Sequence, residues 1–440
     1  MNGTLHTRRQ FLRTSALGAA AAWTLPVFLE KTFFTLNALA ADSLTQTVTG
    51  KDGTILVVLQ FAGGNDGLNT VVPFADDAYH RVRPKIGLAD DKILKLDSYI
   101  GLNGKLTGLK ALHDAGELAL VQGVGYPNPN RSHFRSTEIW QTASDANRTE
   151  SDGWLGRYFD NCCAGADPTV GVAIGEQTPQ AFSAKVPTGV TLSRPEQFRW
   201  KASSGSDGKP LSEEEGFYRQ LIGSSDAPTS STEGDSISAL PGKAESNGST
   251  EDFLRRTALD AQISSDKILA IARKYKSNVP YPTTALGSSL NLIARMIAGG
   301  LPTRVYYASQ GGFDTHAGQI NAHERLMGTI DDALTAFVAD LKQQGNFQRV
   351  LLMTFSEFGR RVVENGNNGT DHGTAAPMFL VGGGVKPGVF GKHPSLTDLD
   401  NGDLKFNTDF RSVYASVLDN WLRAPSQLVL GRKFPSLPIV

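Results

Sequence analysis

Short runs of apolar residues alternate with amphipathic stretches along most of this sequence of 440 residues. The apolar runs are rich in β-branched residues and are bounded by glycine or polar residues, as buried strands are. They predict strands at residues 54–61, 118–121, 303–308, 349–354 and 378–381. A helical spacing of apolar residues predicts helices at 105–115, 285–298, 322–341 and 410–422. Strands that alternate with helices indicate an α/β fold with a mostly parallel sheet covered on both faces.

Residues 1–40 have the features of an export signal. Arg8 and Arg9 precede an aromatic residue and a leucine, an alanine-rich apolar stretch follows, and small residues at 38–41 are spaced like a signal-peptidase site. The segment resembles a twin-arginine (Tat) signal peptide, which implies the Tat translocase as a partner and a periplasmic or extracellular location. An uncleaved amphipathic anchor is the alternative. No later segment has 18 uninterrupted apolar residues, so we expect no transmembrane segment in the mature chain.

The charge of the chain is nearly balanced, with 43 basic and 44 acidic residues. Cleavage after residue 40 would remove four basic residues and one acidic residue, which changes the net charge from −1 to −4. Nucleic-acid-binding proteins carry a basic excess, so we expect no nucleic-acid partner. The only cysteines, Cys162 and Cys163, are adjacent, which excludes a disulfide framework and a cysteine-based zinc site.

Residues 201–247 differ in composition from the rest of the chain. Ser, Gly, Asp and Pro dominate this stretch, which predicts an irregular, flexible insertion at the surface. The parts of the chain on either side each contain too few predicted strands to close a sheet alone. We therefore expect residues 41–440 to form one domain that this insertion interrupts.

Four polar clusters lie beside predicted strands. Three of them, at 63–69, 311–316 and 356–360, follow strands, and the fourth, at 370–374, precedes the strand at 378–381. Each cluster combines glycine with acidic or histidine side chains. In open parallel sheets, binding sites lie beyond the carboxyl ends of the strands. Carboxylates and imidazoles that converge there are typical ligands of Zn²⁺, Mn²⁺ or a similar ion.

The order of the motifs resembles one known family. A Tat signal, GGNDGLN after the first strand, NRSHF at 130–134, GGFDTH, SEFGR and DHGTAAPMFLVGGGV together are similar to the DUF1501 family, a distant branch of the alkaline phosphatase/sulfatase superfamily. The resemblance covers roughly residues 50–425. It implies an alkaline-phosphatase-like three-layer α/β/α domain with a divalent metal at the carboxyl edge of the sheet. We expect one or two zinc ions, with manganese or calcium as alternatives.

The resemblance also implies individual site residues. The implied metal ligands are Asp66, Asp314, His316, Glu357 and His372. Phe358 stands where a second histidine ligand would be, so one metal position lacks a ligand unless Asp371, His133 or His323 substitutes for it. The residues expected to orient the ligands or to contact substrate are Asn65, Asn69, His133, His323, Arg360 and Asp371.

The expected nucleophile is Ser132, with Arg131 as its catalytic neighbour. Enzymes of the superfamily present a Ser, Thr or modified Cys at a helix N-terminus, where the helix dipole favours an anion. A helical pattern follows Ser132, and Arg131 could hold phosphate or sulfate oxygens. A helix-capping role for Ser132 is the alternative. Pro127 occupies the first position of a sulfatase-like Cys/Ser-x-Pro-x-Arg motif, so formylglycine cannot form there.

The sequence thus predicts an exported, metal-dependent hydrolase of phosphate or sulfate esters, with a small anionic ester or a glycan as substrate. The metal would activate either Ser132 or a water molecule. The alternative is a non-catalytic envelope or binding protein on a degenerate scaffold of the same fold, and Phe358 supports this alternative.

Overall fold

The structure, a computed structural model, describes residues 53–164, 166–185, 188–193, 267–268 and 270–440. The expected signal peptide at 1–40 and the expected insertion at 201–247 lie outside these residues. Apart from 267–268, the described residues belong to one compact unit, Thr35–Ser193 with Ala270–Val440. Within the described ranges, no helix has both the length and the apolar character needed to cross a membrane.

Fourteen strands are formed by the described residues. In chain order they are β1 (Ile55–Phe61), β2 (Val71–Val72), β3 (Ile93–Lys95), β4 (Gly101–Asn103), β5 (Leu118–Gly125), β6 (Gly171–Ile174), β7 (Val190–Leu192), β8 (Val305–Gln310), β9 (Val350–Phe355), β10 (Ala376–Gly382), β11 (Gly388–Phe390), β12 (Leu399–Asp400), β13 (Asp403–Leu404) and β14 (Thr408–Asp409).

The main helices lie between these strands. They are α1 (Gly67–Thr70), α2 (Asp77–Val82), α3 (Thr107–Asp114), α4 (His133–Thr142), α5 (Trp154–Cys162), α6 (Ala285–Ala298), α7 (Gln319–Gln343), α8 (Phe410–Ser416) and α9 (Ser426–Leu430). The predicted helix at 410–422 is therefore shorter than expected as an α-helix, and it continues as a π-helical turn, Val417–Trp421.

One large sheet organises the fold. Its strand order is β11-β5-β10-β9-β1-β8-β6-β7, and β14 also pairs with β5. β1 lies between β8 and β9 and is parallel to both, so strands from the two halves of the chain share one sheet. Among the described strands of this sheet only β10 runs antiparallel to its neighbours. The predicted α/β class and the mostly parallel central sheet are confirmed.

Helices cover both faces of the sheet. Leu56 and Val58 of β1 belong to a core cluster with Trp140 of α4 and Tyr414 of α8. Successive side chains of a strand point to opposite faces, so the equally buried Val57 belongs to the other face. On that face α6 packs on β8, and α7 packs on α6 and α3. The result is the three-layer α/β/α arrangement that the resemblance implied.

The strand directions bring the four polar clusters to one edge of the sheet. β1, β8 and β9 are parallel and end there, so the segments after Phe61, Gln310 and Phe355 meet. β10 runs the other way and starts at the same edge, which adds the segment before Ala376. The residues after β5 also reach this edge, because β5 is antiparallel to β10.

Candidate metal centre

Three histidines surround one aspartate at this edge. His316 and His372 place Nε2 3.0 and 3.2 Å from Oδ1 of Asp314, and Nε2 of His133 lies 3.5 Å from Oδ2. Ligand atoms of His133, Asp314 and His372 all lie within 4.8 Å of one another. We call these four residues the outer cluster. The Asp314 side chain is 48% exposed, so the cluster is accessible from solvent.

The other ring nitrogen of each histidine is held by an oxygen atom. Nδ1 of His133 lies 3.0 Å from Oε1 of Glu357, and Nδ1 of His316 lies 3.2 Å from Oδ1 of Asp371. Nδ1 of His372 lies 2.8 Å from the backbone carbonyl of Arg131. Each partner is an acceptor, so each Nδ1 carries the hydrogen and donates it. Such contacts fix the tautomer and the ring orientation of metal-binding histidines.

This tautomer leaves the Nε2 lone pairs directed at one another. Nε2 of His316 and Nε2 of His372 are 2.9 Å apart, next to Asp314. Two lone pairs at that distance repel each other unless a proton or a cation lies between them. A divalent cation bound by His133, Asp314 and His372 would engage the Nε2 lone pair of His372 that otherwise faces His316, and a set of two imidazoles and one carboxylate suits zinc. The residues of the outer cluster therefore fit the metal that the resemblance implied.

Asp314 is also paired with a buried arginine. Arg360 is 1% exposed and donates to Oδ1 of Asp314 at 2.7 Å. Partial burial raises the pKa of Asp314, but the hydrogen bond and the positive charge of Arg360 outweigh this effect and lower the pKa to about 2. Asp314 is thus a carboxylate at any physiological pH.

Glu357, an expected ligand, lies behind His133. Its Oε1 accepts hydrogen bonds from His133 Nδ1 and, at 2.7 Å, from the backbone N–H of Gly63. Its Oε2 is buried and has no hydrogen-bond partner among the described residues. Glu357 therefore orients His133 and keeps one oxygen for a further partner. Its direct metal contact stays a prediction.

Asp66, the other expected ligand, does not join the outer cluster. Its Oδ2 lies 2.6 Å from Nη1 of Arg83 and also accepts from Gln319, while its Oδ1 caps α1 at the backbone N–H of Leu68. Asp66 and Arg83, which we call the inner pair, have fully buried side chains. Burial alone would raise the pKa of Asp66, but Arg83 lowers it below the ordinary value. A guanidinium therefore lies beside this carboxylate, and the direct metal contact of Asp66 stays a prediction.

The residues expected around the ligands fall into two groups. Arg360 and Asp371 contact the outer cluster, as described above. Asn69 instead braces Arg83, with Oδ1 2.9 Å from Nη1. Asn65 accepts from Thr70 and lies 3.2 Å from Nε2 of His323. His323 is 2% exposed, and its burial lowers its pKa to about 4, so it stays neutral.

Ser132 and Arg131 lie at the start of α4, directly before His133. Ser132 occupies the N-cap position, but its side chain makes no capping hydrogen bond. Its hydroxyl is therefore not used by the helix, which argues against the capping alternative. The guanidinium of Arg131 lies 3.3 Å from Asp403, so its backbone carbonyl, and not its side chain, is the group that contacts the cluster.

Phe358 packs between the outer cluster and a neighbouring cleft. Its ring centroid lies 4.9 Å from that of His133 and 4.6 Å from that of His372. A Cβ on Gly64 would come within 2.3 Å of this ring, which explains the glycine. Phe358 also lines a cleft of about 300 Å³, together with Tyr126, Asn128, Asn130, Lys405 and Phe406.

Sequence reasoning missed three of the supporting residues. Arg83 and Gln319 hold Asp66, and Asn365 donates to Oδ1 of Asp371 at 3.1 Å. An isolated arginine or amide carries no sequence signal for such a role. The sequence indicates His133 only as an orienting group or as one of three possible substitute ligands, although the NRSHF motif contains it.

Comparisons with known proteins give one family and a set of distant structures. Residues 119–410 match DUF1501, described as a protein of unknown function. No curated protein matches the chain. The similar solved structures include a protein in the alkaline phosphatase superfamily from Vibrio parahaemolyticus, a sulfatase from Pseudoalteromonas sp. and a phosphonate monoester hydrolase from Silicibacter pomeroyi.

Each of these three is 11% identical to the chain. The matches cover 89%, 98% and 87% of this chain and 72%, 75% and 77% of the other chain, in the same order. Their TM-scores are 0.32, 0.37 and 0.33.

Proposed function

Because the chain belongs to the DUF1501 family, whose description gives no activity, we propose a function from the geometry of its site. The protein is an exported hydrolase of phosphate or sulfate esters that depends on a divalent metal, with a small anionic ester or a glycan as substrate. The observation that supports this proposal is the outer cluster, in which three imidazoles with fixed Nδ1–H groups direct Nε2 toward Asp314.

The cation would polarise the ester oxygens and lower the pKa of a bound water molecule. The residues of the chain prepare for this chemistry. His133 and His372 would supply nitrogen ligands beside Asp314, and Arg360 keeps Asp314 ionised. Two nitrogen ligands favour zinc over calcium, which prefers six to eight oxygen ligands.

Ser132 is the proposed nucleophile. Its hydroxyl lies at the N-terminus of a ten-residue helix and next to His133. In the covalent route, Oγ bonds to phosphorus or sulfur while the bond to the leaving oxygen breaks; the Ser132 proton passes to solvent, and the leaving oxygen takes a proton from solvent to become the free alcohol. Water then cleaves the new ester and releases phosphate or sulfate. Direct attack by water on the substrate is the alternative route, and Ser132→Ala distinguishes the two.

The cleft beside Phe358 is suited to the leaving group. It combines the aromatic rings of Tyr126, Phe358 and Phe406 with the side-chain amides of Asn128 and Asn130. Aromatic faces and amides together bind polyhydroxyl compounds such as sugars, because they offer stacking and hydrogen bonds. A sugar ester is therefore the first substrate class to assay.

The experiment measures metal content and ester hydrolysis in the same preparations. Full-length protein purified without chelator is analysed for transition metals and assayed with aryl and sugar phosphates and sulfates. We expect His372→Ala to lose both metal and activity. His113→Ala is the matched control, since His113 has a similar side-chain exposure, 20% against 23%, and does not contact the outer cluster. A wild-type protein without metal and without hydrolysis would falsify the proposal.

The second candidate is a non-catalytic binding protein. Two observations favour it: Arg360 already neutralises Asp314, and Phe358 occupies an expected ligand position. Such a protein would bind an anionic glycan without cleaving it. Binding of a sulfated oligosaccharide that is unchanged after prolonged incubation with metal-loaded protein would favour this candidate.

Export through the Tat pathway is part of the proposal. The motif around Arg8 and Arg9 supports it. Replacement of both arginines by lysine is expected to leave the protein in the cytoplasm. Undiminished export of the doubly substituted protein would reject the Tat assignment and leave the Sec pathway as the explanation.

A further inference from the structure

Two buried guanidinium groups lie beside the strand-end aspartates. Arg83 contacts Asp66 at 2.6 Å and donates to Oδ1 of Asn69 at 2.9 Å. The same guanidinium donates to the backbone carbonyls of Arg361 and Val362 at 2.8 and 2.9 Å. Four oxygen atoms from two segments of the chain, residues 66–69 and 361–362, therefore surround this one positive charge, as oxygen atoms surround a hard cation.

Arg360 occupies a similar oxygen cage near Asp314. Besides Asp314, it donates to the carbonyls of Gly64, Phe313 and Thr370 at 2.7, 3.0 and 2.9 Å, and also to that of Gly63. These carbonyls belong to the segments after β1 and β8 and before β10. Arg360 thus holds together the loops that carry the outer cluster.

The two carboxylates differ in what remains open to a metal ion. Both oxygens of Asp66 are engaged by Arg83, Gln319 and the N-terminus of α1, and the side chain is inaccessible to solvent. A divalent ion at Asp66 would lie within a few ångström of a permanent positive charge in a low dielectric, where repulsion is strong. At Asp314, Arg360 engages only Oδ1, whereas Oδ2 faces His133 and the side chain is 48% exposed, so one oxygen remains open to a metal ion.

We propose that Arg83 supplies at Asp66 the positive charge that a second metal ion would supply, so that the chain holds a single divalent cation, at the outer cluster. The proposal rests on the proposed function for that single ion and fixes the number of ions in the same site. Arg83 is a positioning residue here, because it acts on the site through Asp66, α1 and the backbone of residues 361–362.

Metal counting tests this proposal with two matched substitutions. The full-length protein is incubated with excess ZnCl₂, desalted and analysed for zinc per chain. We expect one ion in the wild type, one ion in Asp66→Asn and less than about a tenth of an ion in Asp314→Asn. Because Asp66→Asn leaves the charge of Arg83 unpaired in the core, Asp66→Asn/Arg83→Met is measured as well and is also expected to bind one ion.

The outcomes separate this inference from the proposed function. Two ions in the wild type would overturn the inference and leave the hydrolase proposal intact. A loss of the bound ion in both Asp66 variants would do the same, because Asp66 would then be a ligand. No ion in the wild type, or full retention of the ion in Asp314→Asn, would overturn both.

Discussion

The inner pair and the outer cluster present the same residue type in opposite environments. Asp66 and Asp314 both follow parallel strands of one sheet, β1 and β8, which are neighbours. Asp66 is sealed in the core against Arg83, whereas the Asp314 side chain is 48% exposed among three histidines. Both carboxylates have lowered pKa values, and an arginine contributes in each case.

This difference in environment indicates that two aspartates at the same edge of the sheet have different roles, one structural and one in ligand binding. The inner pair satisfies its charges and its hydrogen bonds completely, so it fixes the loop after β1. The outer cluster leaves Nε2 atoms that face one another, so it is complete only with a proton or a cation between them. Disruption of the inner pair should therefore affect mainly stability, and disruption of the outer cluster should affect mainly ligand binding.

The largest expected effect comes from removing the cation of the inner pair. Arg83→Met leaves Asp66 as a buried carboxylate without a positively charged partner, and such changes cost about 3–5 kcal/mol of unfolding free energy. Urea denaturation of metal-free protein measures the loss. Asp66→Asn/Arg83→Met is expected to recover part of it, because no unpaired charge remains. If Arg83→Met alone were as stable as the wild type, the inner pair would not contribute to the stability of the fold.

His323, behind the inner pair, gives a smaller effect that depends on pH. Its pKa is about 4 in the folded protein, against an ordinary value of 6.5, so the unfolded chain binds more protons between these values. This histidine alone should therefore lower the unfolding free energy by about 3 kcal/mol as the pH falls from 6.5 to 4, with no further loss below that range.

Unfolding curves at a series of pH values measure this contribution. His323→Gln, which keeps a donor for Asn65, should give a shallower decrease over the same range. His80→Gln is the control, since His80 is exposed, and it should leave the slope unchanged. An unchanged slope in His323→Gln would mean that His323 is protonated in the fold or that its site opens to water.

The contrast between these regions also marks what the sequence could predict. Apolar runs predicted the central strands, and strand direction then predicted a common edge for Asp314, His316 and His372. The resemblance placed Asp66 among the ligands, and a strand-end aspartate has the same sequence pattern whether it faces a metal or an arginine. Arg83 lies 17 residues after Asp66 in the chain, and its contact with Asp66 depends on the path of the chain at the end of α2.

His133 was predicted only as a possible substitute ligand or an orienting group, for a related reason. His133 lies directly before or after no strand, so the pattern of predicted strands could not place it at the edge of the sheet. Its place in the outer cluster depends on α4 starting at His133 and on Phe358 packing against the ring. The spacing of residues along the sequence predicts local structure, but it does not predict such contacts between distant segments.

The next smaller effect is expected at the oxygen atoms that accept hydrogen bonds from the Nδ1–H groups of the outer cluster, because these contacts influence metal affinity. Asp371→Ala removes the acceptor for His316, and loss of such a partner typically weakens metal binding 10–100-fold. We expect about tenfold, the lower end of that range, because the Asp371 side chain is 57% exposed. Zinc titration against a competing chelator measures the affinity. Asp398→Ala, another exposed aspartate, is the control; an equal loss there would indicate a general charge effect.

The smallest expected effect comes from Arg131→Ala. This substitution separates the role of the Arg131 backbone carbonyl from the role of its side chain. His372 is held by the Arg131 carbonyl, which Arg131→Ala retains, so zinc affinity should not change. The side chain is 42% exposed and its ion pair with Asp403 is worth at most about 1 kcal/mol, so stability should fall only slightly. If the guanidinium also meets the ester anion, KM should rise about threefold with kcat unchanged, as expected for an exposed charge contact of this size. A fall in zinc affinity would instead show that the side chain sets the path of residues 130–132, and that the two roles cannot be separated.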